Sequence, residues 1–196
     1  IDVLAQNPVP PNIHQDADSY LITYGDIQSF RLLPEVYTEQ QKLSAMDESR
    51  IDISLVSTNI PGPCMLVPEL SVAGAKAVNN FIAELTRKHP DRLAGLASIP
   101  WNLPEEAIRE MTRAKTDLGF CGSMLYSHIG GRPVDDPDFE PIYAHAATLD
   151  MPIVLHPTVP TWGEKIMEHS MIPMIGFQID TSFALLRLIL SGVLER

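Results

Sequence analysis

The sequence predicts an α/β protein built on a mainly parallel sheet. Short apolar runs alternate with helical patterns five times along 196 residues. The stretches between successive runs are long enough for crossover helices, which join parallel neighbours in right-handed βαβ units. Proline or glycine closes several of the runs.

Ile1 to Ala5 reads as a short buried strand, ended by Pro8, Pro10 and Pro11, since proline cannot donate to a ladder. Residues 12–34 read as a long loop or small insertion, in which Tyr20 to Tyr24 could form a short strand before a turn at Gly25-Asp26. Thr38 to Ser49 is expected to be helical. Thr38 and Gln41 have the spacing of a capping box. Ile51 to Thr58 persists in apolar character, as a buried parallel strand does. Pro61-Gly62-Pro63 marks a loop, and Pro68 to Lys88 a helix with Ala73, Ala77, Phe81 and Leu85 at fourfold spacing.

Leu93 to Ile99 reads as the next strand, stopped by Pro100. Pro104 to Leu118 reads as a helix whose first-turn proline sacrifices no hydrogen bond, with Gly119 at its end. Cys121 to Tyr126 and Pro152 to Leu155 are the fourth and fifth strands, with a helix over 141–149 between them. The last helix, Ile175 to Leu194, is apolar around most of its circumference and needs burial on several sides, which this chain supplies poorly.

Composition narrows function. Hydrophobic residues make up 45% of the chain, enough for a sizeable core in one domain. A net charge of -11 argues against nucleic acid or an anionic membrane surface as partner, while leaving room for an anionic small molecule in a local pocket. No uninterrupted apolar run has the length of a membrane span, and no secretory leader is read ahead of Ile1. Cys64 and Cys121, on separate elements, read as free thiols of a reducing compartment, so a cytoplasmic location is expected. There is no G-x-G-x-x-G or P-loop, no G-x-S-x-G elbow and no C-x-x-C pair.

The chemistry-bearing residues gather after strands. His156 stands at the C-terminal end of the fifth strand, where ligands and catalytic groups collect in parallel α/β folds. His128 follows the fourth strand on the same predicted face. Arg132 could hold a substrate carboxylate through a bidentate pair, or else spend its charge on Asp135 or Asp136 in a surface loop. Asn59 follows the second strand and Trp101 the third, both toward the presumed pocket. Trp162 could wall it with an aromatic face, the alternative for either tryptophan being plain packing.

A set of short motifs resembles the amidohydrolase-related (amidohydrolase 2) family of the amidohydrolase superfamily, and its decarboxylases in particular. They include Ile1-Asp2-Val3, Met46-Asp47-Glu48 before Ile51-Asp52-Ile53, Arg92-Leu93-Ala94-Gly95, Phe139-Glu140-Pro141, Leu155-His156-Pro157 and Ser191-Gly192-Val193-Leu194-Glu195-Arg196. The resemblance implies an eight-stranded (β/α) barrel of TIM type, of which this chain looks like the first five βα units. It implies a divalent metal, zinc being the ion expected, with His156 as a ligand, and a small aromatic carboxylic acid as substrate for decarboxylation or hydrolysis. Leu4 and Gln6 occupy the positions where the family carries its first-strand metal ligands. Two alternatives stay open: a non-catalytic barrel fragment that binds or self-associates through open sheet edges, and a complete doubly wound domain.

Overall fold

The computed structural model describes residues 2–36 and 38–196. The expected first strand begins at Ile1, which lies outside the described residues, and its described residues, 2–5, form no strand. Leu4–Gln6 is a single 3-10 turn. Gln6 donates from its amide to the Asp2 carbonyl, and the buried Asn7 amide takes the carbonyls of Val9 and Pro11. These local bonds compete with a ladder for the same short segment.

Residues 12–32 are not a loop but an antiparallel meander, β1 (Asn12–Asp16), β2 (Ser19–Tyr24) and β3 (Gln28–Leu32). Ile13 stands opposite Ile22, and Ile22 opposite Phe30. The polar run His14-Gln15-Asp16 in β1 hides the strand from a periodicity reading, because most of it is exposed.

Helix α1 (Glu39–Glu48) starts as expected. Gln41 donates its backbone N–H to Thr38 Oγ1 at 3.3 Å, and Thr38 donates its own to Gln41 Oε1 at 3.2 Å. Thr38→Ala removes one of these caps and is expected to lower stability by about 1 kcal/mol in urea unfolding.

The parallel sheet follows. β4 (Ser54–Val56) is shorter than the sequence implies and is exposed at Leu55. Among the described residues it pairs on one side alone, with β5. Helix α2 (Pro68–Lys88) spans its expected range but buries a different stripe. Ser71, Ala75, Asn79 and Ile82 face the core, while Ala73, Ala77 and Phe81 face outward. The small residues of α2 let it lie close on the sheet, so its fourfold apolar spacing names the wrong side.

β5 (Leu93–Ala97), α3 (Pro104–Thr116) and β6 (Gly122–Tyr126) come next, then a small hairpin, β7 (His128–Ile129) with β8 (Arg132–Pro133). Helix α4 (Glu140–Thr148), β9 (Ile153–His156) and α5 (Phe177–Leu190) complete the order. A π-type turn, Ile172–Gly176, leads into α5.

The sheet runs β4-β5-β6-β9, each strand parallel to the one before. Strands are added in chain order with no reversal, so there is no switch point of the doubly wound kind. This is the order of a (β/α) barrel wall.

Side chains alternate across it. Leu125 and Leu155 are opposite each other and join the core under the helices. Met124 faces Val154, and Tyr126 faces His156, on the other side. Helix α5 docks through Ala184 and Leu188 and leaves Phe183, Leu186 and Leu190 exposed, as its all-round apolar sequence foretells. Counted with its lead-in, Glu168–Leu190 is long and apolar enough to cross a bilayer, which corrects the reading that no segment is. It also carries the buried Asp180, and Arg187 pairs with Asp135 at 2.5 Å, features of a helix in a protein layer.

Candidate functional site

The C-terminal ends of β6 and β9 bring Tyr126 and His156 together at one rim. His156 closes β9, half-buried, with its ring edge-on to Tyr126, centroids 5.7 Å apart. Tyr126 is buried and donates its hydroxyl to the Thr58 carbonyl at 3.2 Å, tying β6 to the loop after β4. That loop passes so close that any side chain at Gly62 would overlap the Tyr126 ring. Burial pushes the Tyr126 phenol well above its ordinary value, and it pushes the nearby Cys64 thiol up to about 12. Neither is a nucleophile at neutral pH.

The two rim histidines have fixed tautomers. His156 Nδ1 lies 2.6 Å from the Pro157 carbonyl oxygen. A carbonyl only accepts, so Nδ1 carries a proton, and in the neutral ring the lone pair is on Nε2. His128 is spent at both nitrogens. Its Nδ1 accepts the Gly131 N–H at 3.1 Å, so its Nε2 donates to the Val159 carbonyl at 3.0 Å. Of the two rings, His156 is the one with a free nitrogen to offer.

The other expected contacts go elsewhere. Arg132 is engaged by two carboxylates, donating from Nε and a terminal nitrogen to Asp136 at 2.9 and 2.7 Å, and to Asp138 at 2.6 Å. The same guanidinium holds Asp136 below the usual carboxylate value and lies over the Phe139 ring. Trp101 is fully buried against Phe139 and Tyr143 and donates Nε1 to the Met124 carbonyl. It is a core residue. Trp162 is half-buried, just ahead of the 3-10 turn Gly163–Ile166.

Asn59 is exposed and accepts the Ile60 N–H at 2.7 Å. It lines a separate cavity of about 290 Å³ between the meander, the loop after β4 and α2, walled mainly by aliphatic groups including Leu4, Ile22, Ile60 and Val78. His156 is not among its lining residues.

Sequence reasoning missed Ser127 and Asp180. Both are buried, and the Ser127 hydroxyl donates to the Asp180 carboxylate. Burial raises the Asp180 carboxyl above its ordinary value, with the Ser127 hydrogen bond and the nearby His128 pulling it down. The pair is separated by 53 residues, so no local pattern announces it.

Among the described residues no three His, Cys, Asp or Glu side chains converge as metal ligands. Leu4 has no donor atom, and Gln6 is exposed, with its amide N–H spent on Asp2. His156 is a competent single donor, but the described residues do not fit a complete metal centre.

Comparison with known proteins places this geometry. Residues 36–196 match the family model described as amidohydrolase. A gamma-resorcylate decarboxylase of Rhodococcus jostii is 30% identical, over 95% of this chain and 60% of its own length. A dihydroxybenzoic acid decarboxylase of Polaromonas, solved with manganese and 2-nitroresorcinol, superposes with a TM-score of 0.74 at 27% identity, over 83% of this chain and 54% of that one. The apo IDCase of Metarhizium anisopliae, at 24% identity, shares the fold with a TM-score of 0.83 over 99% of this chain and 58% of its own. The chain thus spans between half and two thirds of the length of these proteins.

Proposed function

We propose, from the premise that this chain belongs to the amidohydrolase family over residues 36–196, that it contributes to a carboxy-lyase acting on a small aromatic carboxylic acid. The observation that carries this reading is His156, at a strand end with Nδ1 bonded to the Pro157 carbonyl and Nε2 without a hydrogen-bond partner among the described residues. The Rhodococcus and Polaromonas proteins are named as decarboxylases of such acids, which counts against the non-catalytic alternative and favours decarboxylation over hydrolysis.

A divalent ion is the cofactor class those proteins support, and manganese is the ion in the Polaromonas structure. Zinc is the ion that the family resemblance leads one to expect. The described residues do not hold a complete donor set for either ion. What this chain supplies is narrower. An imidazole with Nδ1 protonated can accept a proton or a bond at Nε2 alone, in a fixed direction set by the end of β9. Tyr126 limits water on one side of the ring. Asn59 and the aliphatic cavity are a second surface, suited to the apolar face of a ring. Arg132 could reach a substrate carboxylate if it gave up Asp136 or Asp138.

The test is carbon dioxide release from hydroxybenzoates, 2,6-dihydroxybenzoate among them, by the protein and by His156→Ala. The variant is expected to lose at least about 100-fold in kcat/KM. Undiminished turnover by folded His156→Ala protein removes the reading.

A further inference from the structure

His156 does not set its own tautomer. Its Nδ1–H donates to the oxygen of the Pro157–Thr158 peptide group at 2.6 Å. The nitrogen of that same peptide group, Thr158 N–H, donates to Ser127 Oγ at 3.0 Å. The Ser127 hydroxyl, having accepted from Thr158, donates onward to the Asp180 carboxylate. Every donor in this chain points the same way, toward the Asp180 carboxyl. Ser127, Thr158 and Asp180 are all buried, with 6%, 2% and 8% exposure, so water competes little for any link. Ser127 N–H also donates to the His156 carbonyl at 3.0 Å, which clamps the ends of β6 and β9 together.

We propose that Asp180, on α5, is a positioning residue for His156: through Ser127 and the Pro157–Thr158 peptide it fixes the peptide plane that holds the imidazole in its Nδ1–H form and aims Nε2 at the rim. The device resembles a carboxylate oriented on a histidine, with a hydroxyl and a peptide unit inserted between them. Hydrogen bonds in series polarise one another, so an acceptor at the far end strengthens the bond at Nδ1. The opposite tautomer would set the Nδ1 lone pair against the Pro157 oxygen, which is repulsive at 2.6 Å. The effect of Asp180 passes through the backbone after β9, which is why a helix residue matters at a strand end.

The inference rests on His156 being the working group of the rim, and its test reads the ring directly rather than turnover. Nitrogen-15 NMR of imidazole-labelled, chelator-treated protein at mildly alkaline pH separates the two neutral tautomers. The unaltered chain is expected to show His156 in the Nδ1–H form. Ser127→Ala and Asp180→Ala should lose that single signature and populate the Nε2–H form, Ser127→Thr should retain it, and Asp180→Asn should fall between. Leu188→Ala, which only loosens the packing of α5, should leave it unchanged. If Asp180→Ala does not fold, Ser127→Ala and Asp180→Asn carry the test. An Nε2–H ring in the unaltered protein, or an unchanged Nδ1–H ring in folded Ser127→Ala and Asp180→Asn, overturns the proposal. Loss of activity in His156→Ala with no tautomer change in the relay variants would leave the proposed function standing and the relay refuted.

Discussion

Trp101→Ala is expected to cost about 3–5 kcal/mol of folding stability, a large share of what a domain of this size has to lose. The indole is fully buried, edge-on to Phe139 at 6.0 Å between centroids and tilted against Tyr143 at 5.3 Å. It therefore joins the end of β5 to the packing of α4. Truncation forfeits the transfer energy of the ring and leaves a void that Phe139 and Tyr143 can fill only in part. It also removes the donor that Nε1 gives to the Met124 carbonyl at 2.8 Å, in the middle of β6. Trp101→Phe keeps most of the volume and gives up that bond, so about 1–2 kcal/mol is expected for it. Urea unfolding with an unchanged slope would measure both. A loss under about 1 kcal/mol for Trp101→Ala would mean that the ring is not part of the core.

The same residue shows where sequence reading runs out. Trp101 follows a strand, and residues after strands of a parallel sheet tend to face the rim. Here the chain turns at once, with Trp101 N–H bonded to the Ile99 carbonyl, and the ring swings under the helix layer. One turn decides between pocket and core, and composition does not encode it. By contrast, the alternation of strand and helix was legible, because each helix from α1 to α4 repeats a local signal: a capping pair at Thr38 and Gln41, or proline in the first turn at Pro68 and Pro104. The position of His156 was legible for a similar reason, since Ile153 to Leu155 needs only four residues of context. Arg132 and Asp136 lie close enough in sequence for their pairing to be weighed in advance. The relay was not legible. Ser127 and Asp180 lie on elements that only the closed sheet brings together, and a serine after a strand or an aspartate inside an apolar helix has many ordinary explanations. Nor was the 3-10 turn at Leu4–Gln6, because Asn7 wins its neighbours' carbonyls through bonds that a five-residue apolar pattern does not reveal.

Asn79→Ala is expected to be comparably damaging, at about 3–5 kcal/mol, for an electrostatic rather than a packing reason. Asn79 is fully buried on α2, and its amide serves two elements. It donates to the Ser98 carbonyl at 3.0 Å and to Glu110 Oε1 at 2.7 Å, and it accepts the Ser98 N–H at 2.9 Å. Alanine would leave the backbone after β5 without two partners and take one hydrogen bond from a carboxylate that is itself buried. Glu110 would keep Arg113, which meets it through two nitrogens at 2.6 and 2.9 Å from the more exposed side of α3. Desolvation of the carboxylate is offset by these bonds together, so removing one exposes a cost that the intact cluster conceals. The neighbouring exposed pair of Arg109 with Glu106 is a fair control. Screened by water, Arg109→Ala should leave stability nearly unchanged. A double-mutant cycle of Asn79→Ala with Glu110→Gln should show coupling of about 1 kcal/mol or more, because the neutral amide needs its partner less. Additive effects, or a cost for Asn79→Ala no larger than the surface control, would show that water replaces the lost bonds. The consequence reaches the rim: Ser98 Oγ donates to Thr58 Oγ1 at 2.9 Å, and the Thr58 carbonyl receives the Tyr126 hydroxyl that stands beside His156. Loss of Asn79 should therefore loosen the loop after β4 as well as the fold.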